Sequence, residues 1–487
     1  MVNRKSGSIL RAIKTKKSSY WERIRKQRSL SLFHQASREV PAYKDFLRKH
    51  KIDPNKVKEF EDLEILPHVT KDNYLRKYSL PDLSWGGTLD HPLVYTSTSG
   101  STGNPVYFHR SFRLDWQSSI LHEMYYSFGQ KSNGPTLVIV CFGMGVWIGG
   151  IITYQAFRLM KERGHNLSLI TPGINKEEIF RALKNLSPFY AQTILVGYPP
   201  FIKDIVDESE ERGINLKKIG LRVLCAAEPF DEKFRRYLIK KSGADHKTGV
   251  TNIYGTADLG TMAIETQLSI TIRESTVKRP DIFKELFGEI NKTPTLCQYI
   301  PDHISFDTTQ NGDILITGDN SIPLIRYAIG DHGGTYSAEM LEKKLTDLGQ
   351  KVDFIQHLPF VYVYERADMS TTLYGLQVYP EPLREIFLQQ PFVNYCTGKF
   401  MLETRFNRKQ DQYLLIHIEL RKNKKITDII RRALLRAIVL QLENKNSEFR
   451  ELHKMLGRRS WPKVVFWPYE DQKYFKVGIK QKWVKGN

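Results

Sequence analysis

Four short apolar runs, each followed at once by a helical pattern, occupy the middle of the chain. The runs are TLVIVCF, LSLITPG, AQTILVGYPP and LRVLCAAEPF, and each leads into a stretch with the spacing of an amphipathic helix. Strands that alternate with helices in this way are typical of a parallel sheet covered by helices. Ligands of such sheets bind at the carboxyl ends of the strands, so the loops after Phe142, Val196 and Cys225 are predicted to share one edge.

The regions on either side of this pattern differ from it. Residues 1–92 are predicted to be mostly helical and to belong to the large domain, whose α/β core covers residues 93–365. From Asp302 onward strand patterns dominate. Residues 366–487 contain two strands around a polar turn, an amphipathic helix and a further strand, which predicts a small α+β domain. The predicted fold class is therefore α/β, with a large N-terminal domain of parallel sheets and a smaller C-terminal α+β domain.

The composition is that of a soluble globular protein, since 41% of the 487 residues are hydrophobic and 26% are charged. The cysteines, Cys141, Cys225, Cys297 and Cys396, lie far apart, so we expect no disulfides and a reducing, cytoplasmic location. The N-terminus lacks the apolar stretch of a secretory signal. The uncharged residues 133–157 are long enough to cross a membrane, but their glycines and β-branched first half indicate a strand, a glycine loop and a buried helix.

The stretch YTSTSGSTGNPVYF places two glycines and six small hydroxylated residues between two strand patterns. Glycines allow successive backbone N–H groups to point at one anion, and the hydroxyls add uncharged donors. The loop is therefore predicted to bind a polyphosphate, although it lacks the lysine pattern of a Walker loop. The alternative is a Ser/Thr/Gly linker without a ligand.

Basic residues outnumber acidic residues by 73 to 53, and the surplus is uneven. The first thirty residues contain ten basic side chains and one acid, Glu22, and the C-terminal region is also rich in lysine and arginine. Such surfaces attract polyanions, which include nucleic acid, an anionic membrane, coenzyme A and an acidic carrier protein. A solvated basic surface is the other interpretation.

Six segments, in order along the chain, resemble the motifs of the adenylate-forming enzymes, the superfamily that includes the acyl-CoA ligases. They are SREVPAYKDFLRKH with the following LPHVTKDNYL, then STSGSTGNP, AAEPF, YGTADLG, PLIRYAIGD and ERADMSTTLYGLQVYP. The first is typical of the branch of phenylacetate–coenzyme A ligase and its capsule-biosynthesis-type relatives. The similarity spans nearly the whole chain and implies a large N-terminal domain and a small mobile C-terminal domain.

The resemblance implies a nucleotide site for ATP and AMP. The residues it assigns to that site are Ser99, Gly100, Ser101, Thr102, Gly103, Glu228, Pro229, Tyr254, Gly255, Thr256, Asp331 and Arg366. The aromatic face of Tyr254 suits adenine, and the carboxylate of Asp331 can accept hydrogen bonds from both ribose hydroxyls. Asp258 is the implied ligand of Mg²⁺.

The resemblance also implies a catalytic lysine and a hinge. Lys480, in YFKVGIKQKWV, is the better match to the lysine, and Lys476 and Lys482 are its rivals. Asp368 falls at the hinge, where a few backbone angles absorb a domain rotation.

Together these motifs predict that ATP activates a carboxylic acid as an acyl-adenylate with release of pyrophosphate, and that coenzyme A then takes the acyl group. Phe142, Trp147 and Tyr198 are the predicted walls of the acid pocket, whose uncharged loops favour a hydrophobic or aromatic acid. Two alternatives stay open. One is transfer to an amine or an acidic carrier protein, and the other is an inactive ligase fold that binds nucleic acid or a membrane surface. A homodimer is compatible with either.

Overall fold

The computed structural model describes residues 2–90, 93–97, 107–129, 134–145, 148–288, 293–319, 322–364, 370–387, 389–475 and 484. Its helices are α1 (Val2–Thr15), α2 (Ser18–Glu39), α3 (Pro41–Lys49), α4 (Phe112–Gly129), α5 (Ile148–Glu162), α6 (Lys176–Asn185), α7 (Pro199–Glu211), α8 (Glu232–Ser242), α9 (Gln267–Lys278), α10 (Pro280–Phe287), α11 (Ala338–Asp347), α12 (Glu381–Phe387), α13 (Asp428–Lys445) and α14 (Ser447–Leu456). Its strands are β1 (Val94–Ser97), β2 (Tyr107–Arg110), β3 (Thr136–Val140), β4 (Leu167–Ile170), β5 (Gln192–Gly197), β6 (Leu221–Ala226), β7 (Val250–Thr256), β8 (Gly260–Ile264), β9 (Thr295–Gln298), β10 (Ile304–Thr308), β11 (Asp313–Asp319), β12 (Pro323–Tyr336), β13 (Phe360–Tyr364), β14 (Thr371–Leu373), β15 (Leu376–Val378), β16 (Cys396–Phe406), β17 (Gln412–Leu420) and β18 (Lys463–Trp467).

Strands β4, β3, β5, β6 and β7 lie side by side in that order, and all are parallel. Every residue of β3 and β5 is buried, as expected for parallel strands covered on both faces. The register pairs Val140 with Val196 and Gly197 with Cys225, which brings the carboxyl ends of these strands to one edge. The predicted parallel sheet and its shared edge are confirmed.

The same sheet continues beyond β7 as an antiparallel half, through β8, β9, β13, β12, β11 and β10. Strand β12 bulges where Arg326 takes a φ of +51° and the register against β11 shifts. Next to the bulge, Tyr327 pairs with Val69, and the Ala328 N–H donates to the Val69 carbonyl at 2.9 Å. The N-terminal helical region is therefore joined directly to β12.

The chain after Val69 turns into a short helix, Lys71–Leu75, through a capping box. Thr70 Oγ1 accepts a hydrogen bond from the Asn73 N–H at 3.0 Å, and Asn73 Oδ1 accepts one from the Thr70 N–H at 2.7 Å. One turn later, the buried ring of Tyr74 packs edge-on against Phe46, with ring centroids 5.5 Å apart. The cap and the buried ring together set the position from which Lys71 leaves the backbone.

Contacts divide the chain into two compact units. The first comprises residues 1–96, 108–197 and 205–365, and the second comprises residues 97–107, 198–204 and 366–487. In the second unit β16, β17 and β18 form one sheet, and a core that includes Ile416, Leu434 and Phe449 joins it to α13 and α14. The two strands around a polar turn, the amphipathic helix and the last strand predicted for this region are confirmed.

The apolar residues 133–157 contain β3 and the first part of α5, which confirms the predicted strand and helix. Across the part of the chain that the structure describes, none of the helices combines the length and the apolar character needed to span a membrane. The four cysteines are all buried and carry free thiols.

Candidate functional site

Glu228 and Pro229 follow β6 at the carboxyl edge of the sheet. Between them and the strand, Ala227 has a φ of +74°, a strained conformation of the kind that concentrates at functional sites. The Glu228 carbonyl accepts a hydrogen bond at 3.0 Å from Nδ2 of Asn252 on the adjacent strand β7. The AAEPF motif is therefore fastened to the strand that leads to Tyr254.

Tyr254 and Asp331 come from different motifs and meet in the structure. The Tyr254 hydroxyl, at the end of β7, donates to Oδ2 of Asp331 on β12 at 2.6 Å. The Tyr254 ring lies 6.0 Å from the Phe306 ring at a tilt of 34°. Both Tyr254 and Asp331 are half-buried, so one ligand could reach an aromatic face and a carboxylate at once.

A second tyrosine–aspartate bond runs in the opposite direction between the same two motifs. Tyr327, on β12, donates its hydroxyl to Oδ2 of Asp258, in the turn after β7. The two stretches read YGTAD and YAIGD, so each has a tyrosine four residues before an aspartate. Each tyrosine bonds the aspartate of the other stretch. We call these four residues the reciprocal Tyr–Asp pairs.

Lys71 completes the surroundings of Asp258, because its Nζ lies 3.2 Å from Asp258 Oδ2. The Asp258 side chain is only 1% exposed and the Lys71 side chain is 29% exposed. A buried carboxylate requires a cation or several hydrogen bonds, and Lys71 supplies the cation. Sequence reasoning missed both Lys71 and Tyr327. The repeated Tyr-x-x-x-Asp spacing could have identified Tyr327, whereas Lys71 is brought here by the long-range pairing of Val69.

The turn between β7 and β8 explains the glycines of the YGTADLG motif. Gly260 has a φ of +69°, and a Cβ there would lie 2.8 Å from side-chain atoms of Ile152 and Leu114. A Cβ on Gly255 would lie 2.7 Å from the Gly260 carbonyl oxygen. The turn itself therefore requires both glycines. The Thr256 hydroxyl accepts a hydrogen bond from the Leu259 N–H at 3.2 Å, so the turn already engages this hydroxyl.

Asp258 fits Mg²⁺ in one binding mode only. Among the described residues, no group of three or more His, Cys, Asp or Glu side chains is placed to hold a metal ion. Oδ2 of Asp258 already accepts from Tyr327 and pairs with Lys71. Mg²⁺ in nucleotide enzymes is often held by one or two carboxylates together with substrate phosphates and water. Asp258 suits that mode, and these residues do not form a metal site made of protein ligands alone.

A buried ion network supports β7 from the side of α8 and α9. Arg235 donates to both carboxylate oxygens of Glu265 at 2.8 and 2.9 Å, and Arg273 pairs with the same carboxylate. Glu265 Oε2 also accepts from the Asn252 N–H at 2.9 Å, while Arg273 donates to the Phe230 carbonyl at 2.7 Å. The network thus connects the AAEPF motif to β7. No sequence motif indicated this network.

A cavity of about 1250 Å³ lies beside this region, and its lining includes Phe306, His68 and Arg326. Arg326 donates toward His68 Nε2 at 3.3 Å, and burial together with the Arg326 charge lowers the pKa of His68. None of the reciprocal Tyr–Asp pairs is among the lining residues. The cavity is therefore distinct from the site built around Tyr254 and Asp258.

The predicted walls of the acid pocket fall in different units. Phe142 is 1% exposed in the first unit, and a Cβ on Gly149 would lie 3.4 Å from its ring. Tyr198 clusters with the second unit, where a Cβ on Gly375 would lie 2.2 Å from its ring. Trp147 lies outside the described residues.

Several other predicted site residues also lie outside the described residues. They are Ser99, Gly100, Ser101, Thr102, Gly103, Arg366, Asp368 and Lys480, together with the rival lysines Lys476 and Lys482. The strands that flank the glycine-rich loop are described. Strand β1 ends at Ser97, β2 begins at Tyr107, and the two pair with each other, which confirms the strand assignments on both sides of the loop.

Solved structures of a coenzyme A ligase share this architecture. A 2-hydroxyisobutyryl-CoA ligase in complex with 2-HIB-AMP and coenzyme A, in its thioesterification state, matches with a TM-score of 0.64 and 16% identity over 98% of this chain and 91% of that chain. The same ligase in the postadenylation state with R3-HIB-AMP matches with a TM-score of 0.56 and 16% identity over 98% and 91% of the two chains. No protein-family model and no curated protein sequence matches the chain. At this identity the likeness shows the fold, which is the predicted fold of adenylate-forming ligases.

Proposed function

We propose that the protein uses ATP to activate a carboxylic acid as an acyl-adenylate, releases pyrophosphate, and passes the acyl group to coenzyme A. One observation carries the proposal. The reciprocal Tyr–Asp pairs join two nucleotide motifs at the carboxyl edge of the sheet, and the fold is shared with a ligase solved with 2-HIB-AMP and coenzyme A. The resemblance of the N-terminal segments to the phenylacetate–coenzyme A ligase branch supports a ligase of that type.

The nucleotide would be held mainly by groups on the first unit. Tyr254 would lie against adenine, Asp331 would accept from the ribose hydroxyls, and Glu228 would flank the nucleotide. The loop Ser99–Gly103 would bind the β- and γ-phosphates, and Arg366 would reach the sugar or the phosphates. A carboxylate oxygen of the acid then attacks the α-phosphorus, and the bond to pyrophosphate breaks. Positioning and charge neutralisation carry such a step.

Cationic groups would neutralise the charge that develops on the phosphates. Asp258 would hold Mg²⁺, and the bound ion would supply positive charge that offsets the charge of the phosphates. Lys480 would contact both the acid carboxylate and the α-phosphate. Lys71, already paired with Asp258, would keep that carboxylate oriented before the nucleotide arrives.

The uncharged loops of the predicted acid pocket and the basic character of the C-terminal region indicate the substrates of the two half-reactions. Phe142, Trp147 and Tyr198 would contact a hydrophobic or aromatic acid. Residues 366–487 would form the small domain that turns about Asp368, and their many lysines and arginines would attract the phosphates of coenzyme A.

An acidic carrier protein is the second candidate acceptor, because the N-terminal cations are available on the surface. Arg11, Lys14, Lys16 and Lys17 are exposed, and residues 2–17 contain no acid. Replacing these four residues with glutamine should lower the rate of transfer to a carrier and leave pyrophosphate release unchanged. Equal transfer rates in the two proteins would remove this candidate.

The test of the proposed function is ATP–pyrophosphate exchange across a panel of carboxylic acids. Asp331→Asn should lower kcat/KM for ATP by roughly 10- to 100-fold, since a hydrogen bond to a charged group contributes about 1.5–3 kcal/mol. Asp313→Asn is a matched control, because Asp313 lies on the neighbouring strand β11 and pairs only with the exposed His332 among the ion pairs described, at 3.2 Å. If no acid supports exchange in the wild type, the adenylation proposal is wrong.

The same exchange assay tests which lysine has the catalytic role. Exchange should be lost in Lys480→Ala and retained in Lys482→Ala, because a cationic contact in the transition state typically contributes on the order of 10²–10³ in rate. The reverse result would move the catalytic role to Lys482.

A further inference from the structure

Strand β17 of the second unit has two faces of different chemistry. Ile416 and Ile418 point into the apolar core, and the alternate residues His417 and Glu419 lie on the opposite face, as the two-residue period of a strand requires. Both polar side chains are nevertheless buried, since His417 is 2% and Glu419 is 0% exposed. The chain that follows β18 provides their cover.

His417 links three strands through its two ring nitrogens. Nε2 lies 2.8 Å from Oε2 of Glu403 on β16, and Nδ1 lies 2.9 Å from Nε1 of Trp467 on β18. Because an indole N–H only donates, Nδ1 must accept, and the proton lies on Nε2, which donates to Glu403. These partners set one tautomer and one orientation of the imidazole ring.

Tyr474 stacks on this histidine. The two ring centroids are 4.2 Å apart with an interplanar angle of 18°, and the Tyr474 ring lies 4.4 Å from the Trp467 ring. The backbone is held as well, because the Tyr474 N–H donates to Asp471 Oδ1 at 3.0 Å and the Phe475 N–H donates to the Asp471 carbonyl at 2.8 Å. The chain is thus fixed to the sheet as far as Phe475, which is 2% exposed.

The chain is attached to the same sheet again at Val484. Val484 pairs with Leu402 of β16 and is 5% exposed. The intervening residues 476–483 include Lys476, Lys480 and Lys482. The segment that carries the candidate catalytic lysine is therefore bracketed by two attachments to one sheet, and the first of them rests on His417.

We propose that His417 and Glu403, together with Trp467 and Tyr474, form a positioning cluster that sets the base of the lysine-bearing segment. The inference rests on the proposed function. A lysine that must reach both the carboxylate and the α-phosphate is sensitive to its anchor, since a misplacement of about 1 Å can cost about 10²-fold in rate. The cluster would act through the lysine and touches no substrate. Because the lysine is proposed to act in adenylation, its displacement should slow that half-reaction more than the transfer to coenzyme A.

The chain offers a matched control for the histidine. His453, also in the second unit, accepts from Trp461 Nε1 at 2.9 Å and bonds Glu443 at 2.6 Å, which is the same set of partner types. It lies at α14 and not beside Tyr474. His417→Leu and His453→Leu therefore remove equivalent side-chain bonds at two places. His417→Asn is the rescue variant, because its amide oxygen can replace Nδ1 as the acceptor for the Trp467 N–H.

Two half-reactions are measured with the full-length protein. ATP–pyrophosphate exchange should fall 10- to 100-fold in His417→Leu, as estimated from the positional sensitivity of about 10²-fold per ångström. Thioester formation from a synthetic acyl-adenylate and coenzyme A should change less than about 2-fold, and His417→Asn should recover most of the exchange. His453→Leu should leave both rates close to wild type. Equal losses in both half-reactions, or the same loss in His453→Leu, would overturn the proposal in favour of general destabilisation.

Limited trypsin digestion provides a readout that does not depend on activity. A loosened base should speed cleavage after the lysines of residues 476–482 in His417→Leu relative to wild type and His453→Leu. If wild type shows no exchange with any acid, the proposed function fails, and digestion still decides whether His417 holds this segment. Equal digestion rates at these lysines in all three proteins would overturn the inference.

Discussion

The Lys71–Asp258 ion pair gives a prediction whose size can be worked from the structure. At 3.2 Å and an effective dielectric constant of about 20, the attraction between the two charges is about 5 kcal/mol. Removing one member of a buried pair leaves the other charge uncompensated and typically costs about 3–5 kcal/mol. The Lys71 side chain is 29% exposed, so water can replace part of its contribution. We expect Lys71→Met to lower the free energy of unfolding by about 2–4 kcal/mol.

The assay is a double-mutant cycle of Lys71→Met and Asp258→Asn, with the free energy of unfolding measured in urea at pH 7. The two residues are in contact, so the coupling energy should be about 1–3 kcal/mol. Arg76→Met is the control, because Arg76 follows the same short helix and pairs with Asp72 while their side chains are 43% and 82% exposed. Arg76→Met should lower the free energy of unfolding by less than about 1 kcal/mol. A Lys71–Asp258 coupling below about 0.5 kcal/mol would refute the reasoning.

Three further predictions concern single side chains of the first unit. Tyr254→Phe removes the donor to Asp331 and should raise the KM for ATP by roughly 2- to 10-fold, the equivalent of about 0.5–1.5 kcal/mol. An unchanged KM would show that this hydroxyl does not contribute to nucleotide binding. Glu265→Gln weakens the buried arginine network and should lower the free energy of unfolding in urea by about 3–5 kcal/mol. A decrease below about 1 kcal/mol would contradict the structural role of Glu265. Burial raises the pKa of Asp319 to about 6, so its contribution to stability is present below about pH 4 and lost as the pH rises through about 6. The free energy of unfolding of Asp319→Asn, relative to wild type, should therefore increase by up to about 3 kcal/mol from pH 4 to pH 7.5. A difference between the two proteins that does not change with pH would refute the raised pKa of Asp319.

The parallel half of the sheet could be predicted because its signals are local. Each of β3, β5 and β6 is a short run of mostly apolar or β-branched residues that leads into an amphipathic helix, as expected for parallel strands that are buried on both faces. The carboxyl edge follows from the parallel order alone. The order of the antiparallel strands, in which β9 lies between β8 and β13, depends on long-range pairing that no short stretch of sequence specifies.

The candidate site was predictable as residues but not as a connected arrangement. Tyr254, Asp258 and Asp331 were identified because their motifs resemble those of known enzymes. Lys71 was missed because its approach to Asp258 requires Val69 to pair with Tyr327, and a lone lysine after a threonine carries no local signal. The Arg235–Glu265 network was missed for the same reason, since its members lie on α8 and at the end of β8.

The reciprocal Tyr–Asp pairs hold the two aspartates in fixed positions, which would suit the proposed nucleotide site. Each carboxylate accepts a hydroxyl from the opposite strand, so any shift of β7 relative to β12 would stretch both bonds together. A ligand that reaches Asp331 and Asp258 therefore has little side-chain ordering left to provide, which lowers the entropic cost of binding. The two bonds differ in one respect, because Asp258 is buried with Lys71 while Asp331 is half-buried. Under the proposed function, the more accessible carboxylate, Asp331, would accept the ribose hydroxyls while it keeps its bond to Tyr254, and the buried Asp258 would stay fixed near the phosphates.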